Sequence, residues 1–233
     1  MSTSFNPVTD SGSSGGAEGD ASESDGGSTG PGDVLGPCNP FITDTFDGTS
    51  VDETLWFNWI ELDSDSQVQD GQMVFTPPTA RHPDNAPADT GLVSTPDHQV
   101  PDGDFAIRME VVTAPLDENP VLLYFMLLDS SDQASVAMKV RPVLSISGSE
   151  VTGVENYDVD LDEIVAPRWI GMAFIGDEVH YQVSDDGVDW STVHVGPMIS
   201  AIVEPRTLVM VQTLGDVPAP PNVVVDNYSV CKF

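Results

Sequence analysis

Residues 168–195 read RWIGMAFIGDEVHYQVSDDGVDWSTVHV, and their patterning decides the fold. Arg168–Ile175 is an apolar run, Gly176-Asp177 is a two-residue turn of the kind that closes hairpins, and Glu178–Val183 alternates. Val179, Tyr181 and Val183 point one way; Glu178, His180 and Gln182 point the other, following the two-residue period of a strand. Ser184-Asp185-Asp186-Gly187 turns the chain again, and Asp189–Val195 returns with Trp190, Thr192 and His194 on one face. A three-stranded meander with an apolar face does not stand alone in water, so further strands must cover it.

The flanking sequence supplies them. Asp104–Val112 alternates, with Phe105, Ile107, Met109 and Val111 toward a core and Arg108 and Glu110 away from it. Val121–Leu128 (VLLYFMLL) is apolar throughout and reads as a central strand buried on both faces. Ala134–Val140 alternates again, and Val143–Ile146 with Val151–Val159 reads as a hairpin about Gly148. Upstream, Phe41–Phe46 reads as an edge strand, Val51–Ile60 as a short helical turn, Gln67–Thr76 as a hairpin about Asp70-Gly71, and Leu92–Thr95 as a short strand. Pro77–Asp89 reads as a surface loop holding Arg81 and His82. Thr207–Thr213 and Val223–Val230 close the chain. About twelve strands with no long helix and no internal repeat predict two packed antiparallel sheets.

Ser11–Asp33 is built of Gly, Ser and acidic residues without one aromatic or branched aliphatic side chain. Such composition buries too little surface to offset chain entropy, so residues 1–37 are expected to form a disordered tail before a domain at 38–233. The balance of 7 basic to 38 acidic residues, net charge −31, argues against nucleic acid and anionic membrane as partners. No apolar run is long enough to span a bilayer as a helix. MSTSFNPVTD carries neither a basic n-region nor an apolar h-region, so a secreted or cell-surface location requires an export signal outside this sequence. Cys38 and Cys231 bracket the folding region, and first and last strands of a sandwich are often neighbours. A bond between them is worth roughly 5 kcal/mol in the chain-entropy model and implies an oxidising compartment. The alternative is two buried thiols.

Several short motifs then appear in a telling order. Asp44-Thr45-Phe46-Asp47-Gly48-Thr49 with Val51-Asp52 and Trp56 resembles the opening of the concanavalin A-like lectin/glucanase sandwiches. Gln69–Val74, Gly91–Ser94 and Gly103–Ile107 are similar to the strands that follow it, Ser184–Trp190 resembles the hairpin of the laminin G-like and beta-xylosidase C-terminal-like branches, and Val225–Val230 their closing strand. The resemblance implies an all-β, two-sheet antiparallel jelly-roll sandwich and, by fold analogy, glycan binding. The Gly/Ser/acidic tail is similar to the tethers of bacterial surface lipoproteins.

Site expectations follow. Glycan binding needs an aromatic platform among hydrogen-bonding groups, and Trp190, His180, Gln182 and His194 are the candidates, although Trp190 reads first as a core staple of its own hairpin. The resemblance implies a structural Ca²⁺ where the first and last strands meet, at Asp44, the carbonyl of Gly48 and Asp226; the other reading is ordinary turn aspartates. Laminarinase-type members use a glutamate-aspartate-glutamate strand, and the nearest stretch is Asp158–Glu163. A divergent glycoside hydrolase would use Asp158, Asp160 and Glu163, but Asp stands where the motif needs Glu, shortening the catalytic arms. His82, His98, His180 and His194 fall beside no nucleophile motif. The leading expectation is a non-catalytic module that binds a glycan or a surface protein; a purely structural envelope or adhesive component is the third reading.

Overall fold

The computed structural model describes residues 38–233 apart from 85, 97–99, 116–119, 142, 152–153 and 166. The expected tail over residues 1–37, and His98, lie outside these. Every regular element among the described residues is a strand. In chain order they are β1 (Asn39–Asp44), β2 (Trp56–Ile60), β3 (Asp65–Gln69), β4 (Gln72–Thr76), β5 (Ala88–Ser94), β6 (Phe105–Thr113), β7 (Val121–Leu128) and β8 (Ser135–Val140). There follow β9 (Val143–Val151), β10 (Val154–Val165), β11 (Trp169–Ile175), β12 (Glu178–Ser184), β13 (Ser191–Pro197), β14 (Arg206–Thr213) and β15 (Val223–Lys232).

These strands pair, all antiparallel, into two sheets. Sheet I runs β13-β12-β11-β6-β15-β4-β3, with β1 also on β15; sheet II runs β10-β9-β8-β7-β14-β5-β2. The meander of residues 168–195 stands as three neighbours of sheet I, with Gly176 at φ 56° in the first turn. The Asp70-Gly71 turn has both residues at positive φ, 53° and 77°, the backbone that lets a two-residue loop match strand twist. β15 is shared: Val223–Val225 pair with β4 and Tyr228–Lys232 with β1, and the register breaks between them where Asn227 sits at φ 48°.

The core is the seam between the sheets. Trp56 packs edge-on to Tyr228 at 4.8 Å, and the Tyr228 hydroxyl donates across the layers to Thr207 Oγ1 at 2.9 Å. At the other end the Tyr157 and Tyr181 hydroxyls meet at 2.7 Å, again one from each sheet. Both links satisfy polar atoms that burial would otherwise leave unpaired. Cys38 and Cys231 form a disulfide with Cα atoms 5.1 Å apart, lying on the outer face of sheet I against Ala106 and Ala173. It ties the first strand to the last, as sequence reasoning expected.

Two local expectations are corrected. Val51–Ile60 is not a helical turn over a sheet edge: one turn ends at Trp56, whose N–H donates to Asp52 O at 2.9 Å, and Trp56–Ile60 is an edge strand. Burial at Trp56 and exposure at Phe57 show the two-residue period that wins there. Gly148 does not turn a hairpin; it lies inside β9 opposite Tyr157. An added Cβ there would come within 2.4 Å of the Tyr157 ring, which its hydroxyl bond to Tyr181 holds in place. Gly148→Ala is therefore expected to cost about 1–3 kcal/mol in urea unfolding, the usual range for overpacking.

Candidate functional site

Sequence reasoning placed the site on the outer face of sheet I. There the register sets Arg108, Gly171, Gln182 and Thr192 in one row. Trp190, which precedes β13, roofs that row. Its ring lies 4.4 Å from the Arg108 guanidinium carbon and 3.0 Å from where a Gly171 Cβ would stand, and its Nε1–H donates to Gly187 O at 3.0 Å. Gly187 in turn lies on Trp169, which meets Trp190 edge-on at 6.4 Å. The hairpin thus folds back on its own sheet and buries Arg108, and desolvation lowers the guanidinium pKa to about 10. His180 and Gln182 share this outer face, with His180 Nε2 3.3 Å from Glu178. His194 does not join them: a register shift between Tyr181 and Gln182 pairs it with core-facing Tyr181, and the rings lie 6.1 Å apart. Alternation through Trp190, Thr192 and His194 fails because the bulge inserts a residue.

Of the metal residues, Asp44 pairs with Tyr228 beside the break in β15 that follows Asp226, and Gly48 lies in the loop after β1. Both Asp44 oxygens already accept, from Phe46 N–H and Trp56 Nε1–H at 2.8 Å each, and Asp226 Oδ1 accepts from Asn227 N–H at 2.7 Å. Among the described residues no group of three His, Cys, Asp or Glu side chains is arranged to hold a metal. Gln72 bonds the Asp226 carboxylate as well, so both aspartates are engaged by the chain's own donors, whereas calcium takes six to eight oxygens.

The outer face of sheet II is different. It forms an open cleft of about 670 Å³. Register sets two rows across the strands of this face, and most of their members between β9 and β2 line the cleft. One holds Asp158, Ser147, Ala137, Met126, Leu208, Val93 and Phe57; the other holds Asp160, Ser145, Lys139, Tyr124, Met210, Gly91 and Trp59. Six strand spacings make each row about 29 Å long. The β2 side is apolar and aromatic; the β9–β10 side is serine and carboxylate.

Trp59 is the most distinctive group of this floor. Its ring lies over Gly91, reaching within 2.7 Å of where a Cβ would stand, so only glycine leaves it room. Its Nε1–H donates to Asp89 Oδ1 at 2.9 Å, and Gln212 also bonds to that carboxylate. Burial pushes the Asp89 pKa up, and the charge of Glu61 adds to it, while the Trp59 bond works against both. The other wall is the loop after β7. There Asp129 accepts from the backbone of Ser131, Gln133 and Ala134 and from the Ser131 hydroxyl. Burial opposes its charge, but these donors outweigh it and hold the carboxyl down to about 2. Arg206 reaches this loop at Ser130 O and, at 3.4 Å, Asp132. Lys139 pairs with Asp158 at 3.4 Å.

Sequence reasoning missed Trp59, Tyr124, Met126, Met210 and Asp89. The signal was present in β7 and β14, whose outward residues include Tyr, Met and Leu although no third layer of the described residues covers them. Val121–Leu128 is core-buried on one face only, and its other face is half-exposed in the cleft at Tyr124 and Met126. The expected acidic stretch lies on β10, the edge strand of sheet II; Asp158, Asp160, Asp162 and Glu163 are all exposed, and Asp158 and Asp160 end the two rows.

Two packed antiparallel sheets with this order and a groove across one of them define a jelly-roll sandwich. Compared by sequence, the chain matches no family model and no curated protein. Compared by structure, it is similar to a laminarinase from Rhodothermus marinus, at 14% identity over 84% of this chain and 97% of that one, TM-score 0.57. It is equally similar to the CBM2 module of the evolved Dit of Lactobacillus casei BL23 phage J-1, at 12% identity over 84% and 96%, TM-score 0.57. A beta-agarase A in complex with oligoagarose aligns at 12% identity over 82% and 90%, TM-score 0.54.

Proposed function

We propose that the cleft of sheet II binds an internal stretch of a linear, uncharged polysaccharide without cleaving it, as a secreted or surface-displayed module. Trp59 carries this reading: a flat indole fixed over a glycine, in an open groove, with hydrogen-bonding side chains at the opposite end of its row. Sugar rings present apolar faces that such a ring covers, and equatorial hydroxyls that Asp160, Ser145 and Ser147 can bond. The neighbours of like fold support the class of ligand, since their names include laminarinases and an agarase bound to its oligosaccharide. The disulfide fits an oxidising compartment. No helix among the described residues is long and apolar enough to cross a membrane.

An uncharged ligand follows from electrostatics. The cleft's cations, Lys139 and Arg206, are each already paired with an acid, and a chain of net charge −31 repels polyanions. The reading without cleavage is supported by spacing along the aromatic part of the groove, while Asp158 and Asp160, two residues apart on the exposed edge strand β10, are the pair that the Asp160→Asn arm below tests. Glycoside hydrolysis needs two carboxyls roughly 5–9.5 Å apart across the scissile bond. Asp89 and Asp158 stand five strand spacings apart, about 24 Å, and Asp132 is some six residues along the strands from Asp89, about 20 Å. The central strands β7, β8 and β14 present no carboxylate to the groove. Glu61, the carboxylate nearest Asp89, is turned to His82 and to the Asp89 backbone.

The test is isothermal titration with laminarin alongside a reducing-sugar assay. Binding without sugar release is expected. Sugar release that disappears in Asp160→Asn would make the protein a hydrolase, and no binding across a panel of neutral glucans and galactans would leave only a structural role. Trp190→Ala is expected to lower the melting temperature, because it uncovers buried Arg108, yet to leave laminarin affinity within about twofold, since surface changes away from a hot spot are near neutral.

A further inference from the structure

A chain of three hydrogen bonds links a histidine on the surface loop to the Trp59 platform. His82 Nε2 lies 2.9 Å from Glu61 Oε2, the same Glu61 oxygen accepts the Asp89 backbone N–H at 3.1 Å, and Asp89 Oδ1 accepts the Trp59 indole N–H at 2.9 Å. Each link comes from a different element: the loop between β4 and β5, the residue after β2, the start of β5 and β2 itself. The loop is itself fixed at both flanks, by Thr79 on Asp63 and by the His82 N–H on Ala86 O at 3.1 Å. These bonds set the His82 backbone beside Glu61, and the charge of its ring is what a change of pH alters there.

We propose that His82 and Glu61 are positioning residues for the Trp59 platform, and that protonation of His82 tightens the grip of the cleft on its polysaccharide. This rests on the reading of the cleft as a glycan site. With His82 protonated, Glu61 is held by a charge-assisted bond and its charge is compensated. Glu61 then keeps the Asp89 backbone in place, and with it the carboxylate that holds the indole. With His82 neutral, Glu61 is held by an uncharged bond only, its anchor on the Asp89 backbone loosens, and the indole is positioned less firmly.

The charged groups around the relay agree on its direction. His82 faces Glu61, Asp84 and Asp89, and the Glu61 bond with these charges raises its pKa above the ordinary histidine value. A raised histidine pKa means the tightened state exists at lower pH and is lost as pH rises through the folded-state value. Asp89 faces Glu61 and His82, and its own pKa is raised by burial first. Below that value the carboxyl protonates and accepts less strongly. Affinity is thus expected to form a bell, its alkaline limb set by His82 and its acid limb by Asp89.

The experiment separates the relay from the ligand. In ¹H–¹⁵N spectra of the full chain, the four indole N–H signals are followed across about pH 5.5–8.5, the window in which a histidine titrates; Trp59→Phe identifies the relevant one. The Trp59 signal is expected to titrate with His82, to lose that transition in His82→Gln, and to leave Trp56, Trp169 and Trp190 unmoved. Laminarin affinity should fall about threefold to tenfold over the same window, the scale of freeing one ordered side chain, and His82→Gln should bind at the weaker level at every pH. A Trp59 signal that stays flat while His82 titrates overturns the relay, even if laminarin binds. A titrating Trp59 signal with no laminarin binding at any pH overturns the proposed effect on affinity and the glycan reading with it, leaving only the bond chain.

Discussion

Trp59→Ala is expected to weaken laminarin binding roughly thirtyfold or more, since a central aromatic anchor carries about 2 kcal/mol or more of a binding interface. The ring is half-exposed over Gly91, so removing it takes little from the core, and the melting temperature is expected to stay close to the parent's. Calorimetric titration with a parallel melting curve separates the two effects. Trp59→Phe should recover part of the affinity, because a smaller ring still covers Gly91 although it cannot donate to Asp89. Equal affinities for the parent and Trp59→Ala would show that the platform is not where the sugar lies.

The second large effect is on stability. Cys38 and Cys231 are 193 residues apart in sequence, so their bond constrains nearly the whole unfolded domain. The chain-entropy model gives about 5 kcal/mol for so long a loop, and measured removals run about 2–5 kcal/mol. Cys231 is fully buried against Ala106 and Ala173, and the strands it joins are hydrogen-bonded without it. The double variant Cys38→Ala/Cys231→Ala should therefore fold and lose roughly 3 kcal/mol, about 6–12 °C in melting temperature for a domain of this size. Reduction of the parent should produce a shift of the same size, and the double variant should not respond to reductant. A shift below about 1 °C would mean that the unfolded chain is already held compact by other contacts.

The sandwich was legible because inward hydrophobes at every second position fix which face of a strand is buried. That pattern located the β11–β12 hairpin, β6, β7 and β8 to within a residue or so, and it predicted that Cys38 and Cys231 would meet. It failed where one inserted residue changes the face. Val193 sits at the bulge that turns His194 toward Tyr181, and no property of STVHV announces it. It failed also at Trp56–Ile60, where clustered aromatics were read as one packed turn although they alternate between core and cleft.

The site was harder to read than the fold for a physical reason. Trp190 stands beside a conspicuous turn motif, but its partners Arg108 and Gly171 make it a cover for its own sheet. The rows on the outer face of sheet II draw on seven strands, each giving one residue per row, and exist only through cross-strand register. Trp59 and Asp89 are thirty residues apart, and Tyr124, Lys139 and Met210 come from three further strands. Their outward Met, Leu and Tyr side chains break the polar-out pattern of an exposed antiparallel sheet, and that departure is the one trace of the cleft in the linear sequence.

The location of the site is tested most directly by titrating laminarihexaose into protein carrying ¹³C-methyl methionine. Met126 and Met210 line the cleft floor, whereas Met73, Met109 and Met172 are buried in the core on sheet I. Saturable shifts of the Met126 and Met210 methyls, with those of Met73, Met109 and Met172 unmoved, are the predicted result. Unmoved Met126 and Met210 signals while the ligand binds, or while the Trp190 indole shifts, would contradict it.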